Sequence, residues 1–310
     1  MAVYDLLAPH YDAVTGDSAS EAAFIHDLIE RRHPEAATLL DLACGTGSIT
    51  ARLAGAYQVS GLDISPGMLA LAREKLPGRT RLHLADMTSF RLGASFDVIV
   101  CAYQGINHLL SLAAWQSCFD RACEHLNRGG LFVFDIATLG HLERMAGVPR
   151  IVQEFAGHYL LIRVRTADRE AFDWDIEVYE LQPDGKYRLL TQTIRLTSFP
   201  LPDIQEALRA RFTSVEVISD ADGDRAWFAC RKVRCLPARA HGSSWPGHPG
   251  ALRRARLRRG VRADHRLARA YPARLEGPVP VAGGPASALG SSAPVVPGSA
   301  VPAAAGGSSS

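Results

Sequence analysis

The sequence predicts a doubly wound α/β fold for residues 1–233, and three observations favour that class. Short runs of consecutive apolar residues alternate with segments whose apolar residues recur at helical spacing. Strands that are apolar on both faces are typical of a mostly parallel sheet with helices on each side. A glycine-rich turn, Gly45-Thr46-Gly47, directly follows the first apolar run and joins it to a helix.

The predicted elements follow one another in a regular order. Ser65 and Pro66 suit the N-cap and first position of a helix at residues 65–76. The other elements are helices at 18–32, 48–56 and 107–126, a strand and glycine turn at 37–47, and strands at 57–65, 81–86, 96–103 and 129–137. The predicted core faces of the first and last helices are Ala22, Phe24, Ile25, Leu28 and Ile29, and Trp115, Cys118, Phe119 and Ala122.

The periodicity changes from residue 151 onward. Three segments, at 157–168, 172–185 and 187–199, alternate apolar and polar residues, which predicts an inserted antiparallel β layer over about 152–199. A helix at 202–212 and strands at 213–219 and 225–233 complete the domain. The acidic loop at 220–224 has no glutamate at the twelfth position of a calcium loop, so it is interpreted as a solvated turn.

The composition is that of a soluble globular protein, with 47% hydrophobic and 21% charged residues. The first residues lack a basic stretch followed by an apolar one, so no signal peptide is expected. No run of about 18 apolar residues indicates a membrane span. The six cysteines show neither disulfide-framework nor metal-site spacing, so no metal is expected. Together these features predict a cytoplasmic protein.

Residues 234–310 differ from the rest in charge and composition. They carry 11 Arg, one Asp and one Glu, a net charge of +9, whereas residues 1–233 carry 23 basic and 30 acidic residues, a net of −7. They also hold 11 Gly and 10 Pro but no Ile, Phe or Met. Such a segment buries too little apolar surface to fold, which predicts a disordered Arg/Pro/Gly/Ala-rich tail. A nucleic-acid or anionic-surface patch at 253–259 and a shifted reading frame are the alternatives.

The glycine-rich turn and an acidic residue downstream indicate a ligand site. Glycine lets the backbone approach a ligand closely because it has no Cβ. Asp63 ends the second predicted strand, 18 residues after Gly45, where a carboxylate can accept both hydroxyls of a ribose. The third glycine of a dinucleotide fingerprint is replaced by Thr50, and no phosphate-cradling lysine motif is present.

Four motifs in order resemble those of the class I S-adenosylmethionine-dependent methyltransferases. They are Asp41-Leu-Ala-Cys-Gly-Thr-Gly47, Gly61-Leu-Asp-Ile-Ser65 with Met68, Ala85-Asp-Met87 and Phe96-Asp-Val-Ile99. The resemblance covers about residues 4–233 and implies a seven-stranded Rossmann-like methyltransferase fold with S-adenosyl-L-methionine as cofactor. The cofactor-binding residues that it implies are Tyr11, Ala43, Gly45, Gly47, Asp63, Ile64, Met68, Asp86, Met87 and Cys101. For Met68, a plain core position is the alternative.

A finer resemblance concerns the acceptor. The segment Leu7-Ala-Pro-His-Tyr-Asp12 is similar to the lid of small-molecule methyltransferases, and Gly105-Ile-Asn-His-Leu109 is similar to a motif of nucleotide-linked amino-sugar N-methyltransferases. The inserted antiparallel strands fit the same group. Gln104-Gly105 departs from its small hydroxyl residues, so the substrate is open, and glycine- or sterol-type methyltransferases share much of the outline.

His108 and Tyr11 are the candidate catalytic residues. Methyl transfer needs alignment of the reactants and exclusion of water, and it needs a base only where the nucleophile is protonated. His108 follows the fourth strand at the ligand-binding edge, and an ordinary imidazole pKa of about 6.5 suits proton removal; a helix-capping role is the alternative.

These observations favour a methyltransferase acting on an N or O nucleophile of a small molecule. An RNA-modifying methyltransferase and a non-catalytic cofactor-binding protein are the alternatives. The net charge of −7 of residues 1–233 argues against a nucleic-acid partner. A homodimer is left open.

Overall fold

The computed structural model describes residues 7–232, which fold around two sheets. The helices are α1 (Tyr11–Thr15), α2 (Ala19–Arg32), α3 (Ser48–Leu53), α4 (Pro66–Lys75), α5 (Leu112–His125), α6 (Leu139–Ala146) and α7 (Leu201–Arg209). The strands are β1 (Thr38–Leu42), β2 (Gln58–Asp63), β3 (Arg81–Leu84), β4 (Phe96–Cys101), β5 (Leu126–Ala137), β6 (Ile151–Phe155), β7 (His158–Asp168), β8 (Ala171–Leu181), β9 (Tyr187–Thr197), β10 (Phe212–Ser219) and β11 (Arg225–Lys232). Short 3-10 turns occupy Ala8–His10 and Gly105–His108.

The larger sheet has seven strands in the order β10-β11-β5-β4-β1-β2-β3. Strands β1 to β5 pair in parallel, whereas β11 pairs antiparallel with both β5 and β10. Two apolar clusters, centred on Phe119 of α5 and on Ile25 of α2, cover its opposite faces. The predicted doubly wound, mostly parallel sheet is therefore confirmed. The strand order reverses between β1 and β4, which is where ligands bind in such sheets.

Local sequence signals account for the helices that frame this edge. Ser65 caps α4, because its hydroxyl accepts the Met68 N–H at 3.1 Å, and Pro66 occupies the first helical position. Ser111 caps α5 by accepting the Ala114 N–H at 3.1 Å. The predicted core face of α5 is confirmed, since Trp115, Cys118, Phe119 and Ala122 are fully buried. The helix predicted at 107–126 begins too early, because residues 105–108 form a separate 3-10 turn.

The smaller sheet is antiparallel, in the order β6-β7-β8-β9, and confirms the inserted layer. Strand β6 was not predicted; it is five residues long and joins β7 through Ala156 and Gly157, both at positive φ. Helix α6, which precedes β6, was also missed. The inward face of this sheet packs on α6 through a third apolar cluster that includes Leu142, Phe155 and Phe172.

Two further predictions concern the tail and membrane-spanning helices. The predicted tail, residues 234–310, lies outside the described residues. Among residues 7–232, no helix combines the length and hydropathy that crossing a bilayer requires.

Candidate active site

A cavity of about 290 Å³, which we call the sheet-edge cavity, opens where four parallel strands end. Its walls come from the segments that follow β1, β2, β3 and β4, and α1 adds Tyr11. Nine of the residues predicted from the sequence line it, and they are Tyr11, Ala43, Gly45, Asp63, Ile64, Met68, Asp86, Met87 and His108. Residues that are up to 97 positions apart in the chain therefore meet at one site.

Unusual backbone conformations shape the cavity floor. After β1, Ala43 and Gly45 have φ of 53° and 54°, and after β4, Tyr103 and Gln104 have φ of 56° and 60°. Non-glycine residues adopt such angles at a cost of about 1–3 kcal/mol, and such strain is found at ligand sites. A Cβ at Gly45 would meet no protein atom within 4 Å, so this position faces open space.

Asp63 lies where β2 ends and ties two turns together. One carboxylate oxygen accepts the Gly45 N–H at 2.8 Å and the other accepts the Ser65 N–H at 2.8 Å. Each carboxylate oxygen has two lone pairs, so further donors can still be accepted. Asp63 is thus a rigid, buried acceptor on the cavity wall, which is what a ribose diol requires.

The wall beyond Asp63 is mixed apolar and acidic. Ile64 is 61% exposed although it is a large aliphatic residue, and it faces the cavity beside buried Met68. Asp86 accepts the backbone N–H and the hydroxyl of Thr88, both at 2.7 Å, which fixes its turn. Met87 packs against the core on one side and lines the cavity on the other. A flat apolar ring with polar edges fits such a wall.

Two predicted cofactor residues lie outside the cavity wall. Cys101 is the last residue of β4 and is fully buried in the core, so Ala102 and Tyr103 are the residues that follow the strand and line the cavity. The sequence prediction extended this strand to residue 103 and so placed its end wrongly. Gly47 caps α3 with φ of 78°. A Cβ at this position would contact Ala72 of α4 and Leu76 rather than face the cavity. Its role here is conformational.

The segment containing Tyr11 is tied to the glycine turn. Asp12 accepts hydrogen bonds from Thr46 Oγ1 at 2.6 Å and Ser48 Oγ at 2.9 Å, and it forms an ion pair with Lys75. The Lys75 ammonium and the two hydroxyls hold the pKa of Asp12 below its usual value. Burial beside Asp63 and Asp12 raises the pKa of Tyr11 to about 12, so its phenol stays protonated at neutral pH.

The other end of this segment contacts the antiparallel sheet. His10 Nε2 lies 3.2 Å from Glu180 Oε1 on β8, and Gln153 of β6 donates to the Val14 carbonyl at 3.1 Å. Residues 10–14 therefore connect the glycine turn to the smaller sheet, and Tyr11 among them lines the cavity. A lid role for this segment stays a prediction, and nothing in the sequence indicates that Asp12 is the residue that ties it to the glycine turn.

His108 ends the 3-10 turn after β4 and lines the sheet-edge cavity. Burial lowers its pKa to about 4, so the imidazole is neutral at pH 7. The sequence interpretation assumed an ordinary imidazole pKa, and the structure corrects that assumption. An imidazole with so low a pKa can still accept a hydrogen bond, but it is a weak acceptor for a full proton.

Asn107, one residue earlier, holds this turn in place. Its side-chain amide donates to the Ala137 carbonyl at 3.1 Å and the Thr197 carbonyl at 2.7 Å, and its oxygen accepts the Ala137 N–H at 3.0 Å. These bonds join the turn to β5 and to β9, so both sheets fix the position of His108. Asn107 is fully buried, so its three bonds form away from competing water.

A buried ion pair supports the strained residues before this turn. Asp135 of β5 is fully buried, accepts the Gln104 N–H at 3.1 Å, and accepts from Arg225 Nε at 2.6 Å. Nothing in the local sequence around Asp135 marked it as part of the site. Only the pairing of β5 with β11, which places Arg225 opposite Ala137, brings these residues together.

Comparison with known proteins agrees with this geometry. Residues 39–130 match the family described as a methyltransferase domain. The chain is 32% identical over 229 residues to the dTDP-3-amino-3,6-dideoxy-alpha-D-glucopyranose N,N-dimethyltransferase of Streptomyces fradiae, covering 73% of this chain and 88% of the relative.

Two solved structures extend the likeness to the fold. CalS10, an amino pentose methyltransferase of Micromonospora echinaspora solved with S-adenosylmethionine bound, matches with a TM-score of 0.62 and 28% identity over 73% of this chain and 95% of that one. DesVI of Streptomyces venezuelae matches with a TM-score of 0.63 and 27% identity over 74% and 96% of the two chains.

The relative and the two solved structures each match nearly three quarters of this chain. The chain therefore belongs to the class I small-molecule methyltransferases, a family whose cofactor is S-adenosylmethionine.

Proposed function

We propose that this protein transfers a methyl group from S-adenosylmethionine to the amino group of a nucleotide-linked amino sugar. The observation that carries the proposal is the sheet-edge cavity, in which a buried acidic acceptor, a glycine turn and His108 converge. The Streptomyces fradiae relative acts on an acceptor of this class, which favours it over RNA. Because these residues are present together in the cavity, we also favour an enzyme over a non-catalytic binding protein.

We assign each part of the cofactor to a group of cavity residues whose chemistry suits it. Asp63 is positioned to accept the ribose hydroxyls, while Ile64, Met68 and Met87 offer apolar contacts to the adenine and Asp86 offers an acceptor at its edge. The open space at Gly45 admits the methionine part. When bound, S-adenosylmethionine supplies a methyl group on a sulfonium, which is already activated toward nucleophiles.

The chain's remaining task is to position the amine and exclude water. Tyr11 and its segment cover the cavity, and His108 offers a neutral nitrogen as acceptor for an amine N–H. Transfer of a proton from an ammonium group with a pKa near 8 to the His108 imidazole, whose pKa is about 4, would cost about 5 kcal/mol. We therefore assign His108 to orienting the neutral amine, with solvent taking the proton beforehand.

The proposal is tested with purified protein, S-adenosylmethionine and dTDP-3-amino-3,6-dideoxy-α-D-glucopyranose. We expect the acceptor to gain one or two methyl groups by mass spectrometry and S-adenosylhomocysteine to form in step. The matched control is the same sugar nucleotide with a hydroxyl in place of the amine, which should remain unmodified. Cofactor binding in calorimetry without product from amino-sugar nucleotides would overturn the acceptor class but leave the methyltransferase assignment intact.

We also propose that the enzyme acts in the cytoplasm. Among the described residues, Cys44, Cys101, Cys118 and Cys230 are free thiols, as a reducing compartment would keep them. Fractionation of the source cells tests this. The homodimer stays a prediction that light scattering can test.

A further inference from the structure

A second, smaller pocket of about 90 Å³ lies beside the sheet-edge cavity, and we call it the side pocket. Tyr103 and His108 line both spaces. The other walls of the side pocket are Gln104 and four residues of the antiparallel sheet, Trp174, Ile176, Ile194 and Leu196. A group in the side pocket would therefore lie next to whatever His108 contacts.

Strand register explains why the far wall is apolar. Residues 174 and 176 of β8 share one face because side chains alternate along a strand. Trp174 pairs with Ile194 on β9, which brings these two walls together. Ile176, Ile194 and Leu196 are at most 6% exposed. These three aliphatic side chains suit a deoxygenated carbon rather than a hydroxyl, because they offer no hydrogen bond.

Trp174 adds one polar feature to this wall. Its indole Nε1 is buried and has no hydrogen-bond partner among the described residues. An indole N–H can only donate, and leaving it unpaired costs about 1–3 kcal/mol. By contrast, Trp115 Nε1 donates to the Leu109 carbonyl at 3.0 Å. Trp227 also has an unpartnered indole nitrogen, but it lines neither the side pocket nor the sheet-edge cavity.

Building on the proposed function, we propose that the side pocket binds one edge of the sugar acceptor and that Trp174 selects it. An oxygen of the acceptor accepts the Trp174 indole N–H, and a deoxygenated carbon packs on Ile176, Ile194 and Leu196. The side pocket has less than a third of the volume of the sheet-edge cavity, so it takes an edge of the sugar and not the whole acceptor.

This arrangement makes Trp174 a specificity-determining residue. A site built to bond a substrate oxygen rejects an analogue that lacks the oxygen, because the buried donor is then left unpaired. The aliphatic side chains discriminate less strongly against an acceptor that carries an extra hydroxyl than the indole N–H does against an acceptor that lacks the bonded oxygen. The pocket therefore favours acceptors that carry an oxygen on one side and a deoxygenated carbon on the other.

The test compares Trp174→Phe with Trp227→Phe, since both remove an unpartnered indole N–H and keep an aromatic ring. With dTDP-3-amino-3,6-dideoxy-α-D-glucopyranose, we expect KM to rise roughly 3- to 10-fold in the first variant, with kcat less affected. The second variant should behave like the wild type. Affinity for S-adenosylhomocysteine should be unchanged in both, and Trp174→Phe should not lower the melting temperature.

A direct readout uses protein labelled with ¹⁵N at the indole nitrogens and saturated with S-adenosylhomocysteine. Adding the same sugar nucleotide should shift the Trp174 N–H resonance, assigned from Trp174→Phe, while the Trp227 resonance stays in place. Methylation of the acceptor with no Trp174 shift and no change in KM would overturn the inference alone. If the sugar nucleotides are neither bound nor methylated, the proposed acceptor class fails, and this inference fails with it.

Discussion

The sheet-edge cavity and the side pocket meet at Tyr103 and His108, yet the chain builds them in different ways. The part of the sheet-edge cavity that we propose for the cofactor, called here the cofactor wall, comes from three short stretches at 41–46, 62–68 and 85–87. Each stretch lies at the end of one parallel strand or directly after it. The side pocket combines the turn after β4 with residues 174–196 of the other sheet. The proposed cofactor site is therefore built from residues close together in the sequence, whereas the proposed acceptor site depends on long-range packing between the two sheets.

The two spaces also differ in chemistry. The cofactor wall carries the carboxylates of Asp41, Asp63 and Asp86, whereas the sheet wall of the side pocket is aliphatic apart from one indole N–H. Asp63 and Asp86 accept backbone N–H groups and Asp41 accepts the Thr50 hydroxyl, and these bonds fix the first wall. Strand register fixes the second. We therefore expect substitutions in the cofactor wall to leave acceptor binding intact, and substitutions in the side pocket to leave cofactor binding intact.

The largest expected effect is on cofactor affinity in Asp63→Ala. This change removes two charge-assisted hydrogen bonds to the ribose, each stabilising by about 1.5–3 kcal/mol, so the Kd for S-adenosylmethionine should rise at least about 100-fold. Calorimetry measures it. An unchanged Kd in a folded variant would remove Asp63 from the site.

Asp97→Ala provides the control at the opposite end of the same sheet. Asp97 accepts the Thr38 N–H at 3.0 Å and the Ala37 N–H at 3.1 Å, so it also ties backbone with a carboxylate but is not part of the cavity wall. Its loss should lower the melting temperature and leave the Kd unchanged. Equal effects on Kd in both variants would mean that general destabilisation weakens binding.

The next effect concerns the junction between the two spaces. Asn107→Ala removes three hydrogen bonds to buried backbone groups, and among the described residues only the Ala137 carbonyl keeps another side-chain donor, the Ser198 hydroxyl at 2.8 Å. The free energy of unfolding should therefore fall by about 3 kcal/mol. Urea denaturation measures this. Asn127→Ala is the control, because its exposed amide donates to Asp97 at 2.8 Å and its loss should cost little. Similar losses in both variants would contradict a special role for Asn107.

Sequence patterns predicted the parallel sheet, and the resemblance to methyltransferase motifs implied most of the predicted residues that line the sheet-edge cavity, because both rest on short contiguous stretches. Strand–turn–helix units repeat, and Asp63 follows its strand in the expected place. The end of β4 was misplaced by two residues because Ala102 and Tyr103 extend its apolar run. Asp135, Trp174 and Asp12 were missed as site residues because their partners lie on other elements, and no local pattern encodes such pairings.

A third effect is a pH dependence of stability that originates at His108. The unfolded pKa is near 6.5 and the folded pKa is about 4, so between these values only the unfolded chain binds the proton. Stability is therefore fully present above about pH 6.5 and falls as the pH drops toward 4. The contribution amounts to about 2 kcal/mol between pH 7 and pH 5. His108→Gln should lose this part of the slope in urea denaturation, and an unchanged slope would show that His108 titrates normally.

A smaller effect is expected on turnover in His108→Ala. Losing one hydrogen bond to the amine should lower kcat/KM about tenfold and leave the cofactor Kd unchanged. Because the imidazole is already neutral, the acid limb of the pH profile belongs to the amine and should survive in the variant. A loss of 10²–10⁴-fold together with disappearance of that limb would instead identify a general base.

The smallest expected effect concerns the predicted lid, whose Tyr11 lines the cavity. Asp12→Asn removes the charge that pairs with Lys75 while keeping an oxygen for Thr46 and Ser48. A partly exposed ion pair stabilises by about 0.2–1 kcal/mol, so S-adenosylmethionine should bind roughly 2- to 5-fold more weakly, mainly through faster release. Stopped-flow displacement measures the release rate.

The salt dependence of cofactor release distinguishes an effect of the Asp12–Lys75 ion pair from an effect of packing around Tyr11. Screening weakens exposed charge pairs, so the wild type and Asp12→Asn should converge as ionic strength rises. Asp17→Asn is the matched control, since Asp17 pairs with Arg52 and neither residue lines the cavity. Because the Asp12 segment also contacts the smaller sheet through His10 and Glu180, a looser lid should raise the acceptor KM slightly as well. A release rate that is the same in Asp12→Asn and the wild type at low salt would show that packing around Tyr11, and not the Asp12 charge, holds the lid closed.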